Sequence, residues 1–181
     1  DWGGEDYQDL MAAVDEVERR PYVDPYRMGV HGYSYGGFMS SWIIGHTDRF
    51  CAAVVGAPVI DLPSMYGTSD IGVSFGEVQW AVQSRHQGLQ VLLERSPITY
   101  AHRVNTPVLL LHGEADLRCP IHQSEQYFAA LKRLGKVVEL VRFPGCNHLF
   151  LRSGHARMRY EYLSRALAWF DRYLKGGAPQ D

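Results

Sequence analysis

A serine between two glycines, Gly32-Tyr33-Ser34-Tyr35-Gly36, follows a short apolar run at residues 26–31 and precedes a helix-like stretch at residues 38–46. Strand, Gly-x-Ser-x-Gly turn and helix make a nucleophile elbow. This tight turn raises the hydroxyl above a sheet, at a helix N-terminus where developing negative charge is stabilised. Such a turn requires small residues two positions either side of the serine. Gly32 and Gly36 supply them, and Gly37 is expected to let the following helix pack close to the sheet. Five letters of this kind also occur in ordinary strand-to-helix loops, so their chemistry depends on partners elsewhere in the chain.

A serine hydroxyl needs a base to take its proton, and the base needs a carboxylate to orient it. Residues 107–112 read as a buried parallel strand opened by proline, ending in Gly113-Glu114-Ala115-Asp116. Residues 137–143 read as the next strand, ending in Pro144-Gly145-Cys146-Asn147-His148. Asp116 and His148 therefore follow the C-terminal ends of successive strands, the edge of an open α/β sheet where reacting groups converge. Among eight histidines, His31 and His112 lie at strand ends and read equally as core histidines. His46, His86, His102 and His122 lack a partner pattern. His155, the rival to His148, opens the last helix rather than following a strand. Glu114 is the rival carboxylate. Asp116 is favoured because the turn after Gly113 needs room to bring a carboxylate round to the imidazole. No His, Cys, Asp or Glu spacing suggests a zinc site, and no cofactor is implied.

Several segments in order resemble one family. They are Gly32-Tyr33-Ser34-Tyr35-Gly36-Gly37-Phe38, Gly45-His46-Thr47-Asp48-Arg49-Phe50, Tyr66-Gly67-Thr68-Ser69-Asp70, His112-Gly113-Glu114-Ala115-Asp116 and Gly145-Cys146-Asn147-His148. Together with the opening Asp1-Trp2-Gly3-Gly4-Glu5-Asp6-Tyr7-Gln8-Asp9, they resemble the prolyl oligopeptidase family of serine peptidases, and most of all its acylaminoacyl-peptidase (acylpeptide hydrolase) branch. The resemblance implies Ser34 as nucleophile, Asp116 as orienting acid, His148 as general base and the Tyr35 N–H as one oxyanion donor. It also implies a pocket for the residue before the scissile bond, lined by Tyr35, Val59, Leu62, Met65 and Cys119, and a contact from Arg118 to a substrate backbone carbonyl. On the residues alone, Val59, Leu62 and Met65 read equally as the core stripe of a short helix, and Arg118 as a surface ion-pair member. Cys119 stands where the family often has valine. With Cys146, two residues before His148, it places two thiols on neighbouring loops.

The activity implied is hydrolysis of short or N-acylated peptides through an acyl-enzyme. An esterase with the same triad, or a non-catalytic fragment that needs its N-terminal partner, remains open, because fold and triad are shared across chemistries. Members of the family carry a β-propeller and further hydrolase strands before the elbow, together with an earlier loop that gives a second oxyanion donor. Residues 1–181 therefore read as a partial α/β-hydrolase peptidase catalytic domain, the C-terminal half of the fold, whose expected partner is the N-terminal part of the same enzyme. A homo-oligomer is left open.

The elements that must position these groups alternate. Strands are expected at residues 26–31, 51–56, 107–112 and 137–143, giving an α/β fold with a mostly parallel sheet flanked by helices. Residues 6–20 read as a helix with Leu10, Ala13, Val14 and Val17 on one face. Residues 61–95 are the least regular and read as short helices over the site. Residues 123–134 form a helix stopped by Gly135. Residues 155–174 form the last helix, with Tyr162, Leu163, Ala166, Leu167, Phe170 and Leu174 as its buried stripe, before a frayed tail at 176–181.

Composition sets outer bounds. The 181 residues are 46% hydrophobic and 21% charged, with a net charge of −2, as in an ordinary globular domain with no electrostatic footprint for nucleic acid. No apolar run reaches the length of a membrane span. Three scattered cysteines make no disulfide framework and suggest a reducing, cytoplasmic compartment.

Overall fold

The computed structural model describes residues 1–80 and 85–176, with side chains for 1–80 and 88–176. Two strands, β2 (Ala52–Gly56) and β3 (Val108–Gly113), are buried at every residue. Continuous apolar runs of this kind suit strands covered on both faces. They pair in parallel, with Ala53 opposite Val108 and Gly56 opposite Leu111. β1 (Gly29–Tyr33) joins in parallel beside β2, and β4 (Val138–Phe143) beside β3, giving a four-stranded sheet in the order β1-β2-β3-β4.

The twofold period of a strand sends alternate side chains to opposite layers. Ala53, Val55, Val108 and Leu110 pack with Ile44, Ala101, Tyr127 and Leu131 on one face. These partners come from α2 (Tyr35–Ile44), a 3₁₀ helix (Pro97–Arg103) and α6 (His122–Arg133). Ala52, Val54, Leu109 and Leu111 pack on the other face with Phe150, Tyr162, Ala166 and Trp169, from α7 (Phe150–Ser153) and α8 (Ala156–Leu174). A third cluster gathers Phe38, Trp42, Val59, Leu62, Met65, Trp80, Leu92 and Cys119. It joins α2 to α3 (Leu62–Thr68), α4 (Gly72–Gln79) and α5 (Arg85–Glu94), the short helices expected over residues 61–95. Gly135, at φ +70°, ends α6 as expected. Its N–H bonds to the Lys132 carbonyl and the Lys136 N–H to the Leu131 carbonyl.

Three readings of the sequence are corrected. β1 starts at Gly29, leaving Tyr26 85% exposed, and runs on to Tyr33 because the parallel ladder to β2 continues to Gly56. The first helix, α1 (Glu5–Glu18), contains no buried residue, and Leu10 and Val17 lie open to solvent. Its inward line is Tyr7, Met11 and Val14 against the third cluster, because that cluster, not the sheet, is what the helix meets. In α8 the buried line is Tyr162, Ala166 and Trp169, whereas Leu163 and Leu167 are 61% and 60% exposed. The inner strands cover only one side of this broad apolar stripe, and Phe170 and Leu174 pack half-buried at the sheet edge. On its other flank Leu167, Phe170 and Leu174 line a groove with Gly29 on β1. The tail expected at 176–181 lies, beyond Gly176, outside the described residues, as does the side chain of His86. Among the described residues no helix is long and apolar enough to cross a membrane.

Candidate active site

β1 delivers the serine directly. The Ser34 N–H extends the ladder to the Gly56 carbonyl at 2.9 Å, and the Ser34 carbonyl accepts from the Phe38 N–H at 2.9 Å to open α2. Ser34 itself is left at φ +61°, ψ −117°. A non-glycine residue held there costs about 1–3 kcal/mol and persists only when its surroundings over-determine it. A methyl group on Gly32 would strike the Gly36 peptide, and one on Gly37 would strike the Gly56 carbonyl of β2. A methyl on Gly36 would meet nothing within 4 Å. The expectation that both flanking glycines must be small therefore holds for Gly32 alone. Gly36 contributes the backbone against which Gly32 lies.

β3 carries the carboxylate. Past Gly113 the chain turns so that Asp116 is 2% exposed. Its Oδ1 accepts from the backbone N–H groups of Arg118 and Cys119, each at 2.9 Å. Its Oδ2 lies 2.7 Å from His148 Nδ1 and 3.4 Å from His112 Nε2. Burial opposes the charge on this carboxyl. The bonds from His112 and His148, the charge interaction with His148 and the Cys119 N–H outweigh that cost and hold it down to about 2. Glu114, the rival acid, is exposed and pairs with Arg142 at 2.8 Å.

β4 carries the imidazole. The turn after it uses Gly145 at φ +67°, and the Cys146 carbonyl accepts from the Ala115 N–H at 3.0 Å, which sews this loop to the Asp116 loop. The Tyr33 hydroxyl donates to the His148 carbonyl at 2.9 Å. His148 Nε2 then lies 2.9 Å from Ser34 Oγ, and Cys119 Sγ stands 3.9 Å from the same oxygen. A carboxylate only accepts, so Nδ1 carries a proton and Nε2 is free to accept from the serine hydroxyl. His155, the rival, is exposed and caps α8 by accepting from the Arg157 N–H at 3.2 Å.

Ser34, Asp116 and His148 are thus joined in one hydrogen-bonded chain across three strand ends. Tyr35 is the first residue of α2, where a helix leaves N–H groups without intrahelical acceptors. Its ring meets the edge of Trp2 at 4.9 Å, and its hydroxyl donates to Asp6 at 2.7 Å. Burial and Asp6 together push the Tyr35 phenol upward. Val59, Leu62, Met65 and Cys119 are all buried in the third cluster. Leu62 also borders a cavity with Trp2, Trp80 and Leu92. Arg118 pairs with Asp70 at 2.7 Å. Burial and the Asp116 charge push the Cys119 thiol up to about 12, and burial raises Cys146, so neither favours the reactive thiolate. All three cysteines are free. The contacts of Tyr33 with His148, and of Asp6 with Tyr35, have no signature in the sequence. They span 115 and 29 residues, and only the assembled fold brings them together.

The chain belongs to the prolyl oligopeptidase family, whose model matches residues 1–177. It is 49% identical over 96% of its length to the uncharacterized peptidase YuxL of Bacillus subtilis, covering 26% of that protein. It is 34% identical over 96% of its length to the acylamino-acid-releasing enzyme of Arabidopsis thaliana, covering 23% of it. The acylaminoacyl peptidase of Pyrococcus horikoshii superposes with a TM-score of 0.88 at 31% identity, over 96% of this chain and 28% of that one. The chain therefore spans about a quarter of the length of the relatives it matches, and its sheet and flanking helices are part of an α/β-hydrolase fold.

Proposed function

We propose that this chain carries the nucleophile, acid and base of a serine peptidase that hydrolyses short or N-acylated peptides through an acyl-enzyme. The observation that carries the reading is the unbroken chain from Ser34 Oγ to His148 Nε2 at 2.9 Å and from His148 Nδ1 to Asp116 Oδ2 at 2.7 Å, hung on a strained elbow. Ser34 Oγ attacks the substrate carbonyl as its proton passes to His148 Nε2. Asp116 holds the imidazole in the right tautomer and stabilises the charge that forms. The Tyr35 N–H donates to the oxyanion, and losing such a donor typically costs roughly 10²–10³ in rate. His148 then protonates the leaving amine, and water, activated by the same nitrogen, releases the acyl group.

Tyr35, Val59, Leu62, Met65 and Cys119 form the apolar wall for the acyl-side residue, with Tyr35 the exposed member. Arg118, seated on Asp70, faces substrate backbone. The remainder of the same enzyme supplies the second oxyanion donor and covers the β1 edge, and residues 1–181 are one part of its catalytic domain. Three free thiols suit a reducing, cytoplasmic setting.

The test uses the full-length protein. A fluorophosphonate should label Ser34, and Ser34→Ala should remove both labelling and hydrolysis of an N-acylated peptide anilide. Labelling at another residue, or activity that survives Ser34→Ala, refutes the assignment. Cleavage of simple esters but of no peptide anilide refutes the peptidase reading while leaving the triad in place.

A further inference from the structure

We propose that His112 is a positioning residue for Asp116, a strut that locks the carboxylate in the orientation His148 needs; this rests on the triad reading above. His112 has no exposed surface, and both ring nitrogens are engaged. Nε2 is 2.7 Å from the Cys119 carbonyl oxygen and 3.4 Å from Asp116 Oδ2. Nδ1 is 2.7 Å from Oγ of Ser124, itself fully buried on α6.

A carbonyl oxygen only accepts, so Nε2 carries a hydrogen, which leaves Nδ1 to accept from the Ser124 hydroxyl. The Cys119 carbonyl thereby selects the tautomer that turns an N–H toward the Asp116 turn, and the Ser124 hydroxyl holds the ring at its other nitrogen. That N–H does two things. It fixes the Cys119 carbonyl, and so the turn whose Arg118 and Cys119 N–H groups grip Oδ1. It also stands beside Oδ2 together with His148 Nδ1. With donors on both oxygens, rotation of the carboxyl breaks several bonds at once. Any buried histidine needs partners for its nitrogens, so what marks the role is which partner is used: the bond that satisfies Nε2 also holds the turn that grips Oδ1.

Three variants of the full-length enzyme separate the two roles. His112→Leu keeps the bulk and loses the donor. His112→Gln puts an amide N–H near the position of Nε2. Ser124→Ala removes the hydroxyl that holds the ring at Nδ1. On an N-acylated peptide anilide, kcat of His112→Leu should fall roughly 3- to 10-fold, the usual worth of a hydrogen bond between neutral groups, with KM unchanged. His112→Gln should recover most of the loss, and Ser124→Ala should lose kcat severalfold. The fluorophosphonate inactivation rate should follow kcat.

The proposal is overturned if a folded His112→Leu enzyme retains wild-type kcat, or if His112→Gln is as impaired as His112→Leu. Should His112→Leu fail to fold, a wild-type kcat in Ser124→Ala overturns it equally. Loss of the peptidase reading itself shows separately, as wild-type enzyme that is not labelled at Ser34, and takes this proposal with it.

Discussion

Gly113→Ala places one methyl group against the loop that carries the imidazole. The new carbon would stand 2.9 Å from the Cys146 carbonyl carbon and 3.2 Å from Cys146 Cβ, with the carbonyl oxygen nearer still. Carbon atoms settle at about 3.5 Å, so the carbon contact alone demands a retreat of about 0.6 Å. The oxygen raises this to about 1 Å, the scale on which misplaced reacting groups lose roughly 10² in rate. Rotating the peptide in place is not a way out, because the same carbonyl accepts from the Ala115 N–H at 3.0 Å. His148 lies two residues further on, and a retreat of that size stretches its 2.9 Å contact with Ser34 Oγ past hydrogen-bonding range. Overpacking should also cost about 1–3 kcal/mol of stability. In full-length enzyme, kcat/KM on a peptide anilide and the fluorophosphonate inactivation rate should both fall about 100-fold, with a modest drop in melting temperature. A variant within threefold of wild type on both measures would show that the two loops are not coupled through this contact, and the reasoning would fail.

Tyr33→Phe removes the hydroxyl that donates to the His148 carbonyl at 2.9 Å. A bond of this kind is worth about 1 kcal/mol, so kcat should fall roughly fivefold at constant KM, and an unchanged kcat means the loop is held without it. Asp116 makes acid stability specific. Its carboxyl is held to about 2 in the fold, below the roughly 3.9 of an unfolded aspartate, so its contribution is complete above about pH 4 and lost as pH falls through about 2. That contribution is about 2.5 kcal/mol. The gap in unfolding free energy between wild type and Asp116→Asn should therefore narrow from pH 5 to pH 2, and a gap that stays constant across that range contradicts the account.

Particular residues show which kinds of reading succeed. Val108 to Leu111 announced a strand because a short apolar run bounded by Pro107 and Gly113 suits a strand covered on both faces, which is where β3 sits. Gly135 announced the end of α6 because the backbone there turns left-handed. Leu163 and Leu167 misled, because an apolar stripe wider than the surface it meets does not say which edge is covered. α1 misled for the same reason, since its neighbour is the Trp42 cluster, formed by residues distant in sequence.

Turns, strand runs and the order serine, acid, imidazole are local properties, set by backbone sterics and side-chain periodicity along short stretches, and the amino-acid order carried them unaided. Which atoms meet is a different matter. The Ser34–His148 contact, the Tyr33 bond, the His112 strut and the close approach of Gly32 to the Gly36 backbone depend on sheet register and loop placement to within about an ångström. Register is a cooperative outcome of packing two layers onto four strands, so it belongs to the folded whole and to no segment of the chain.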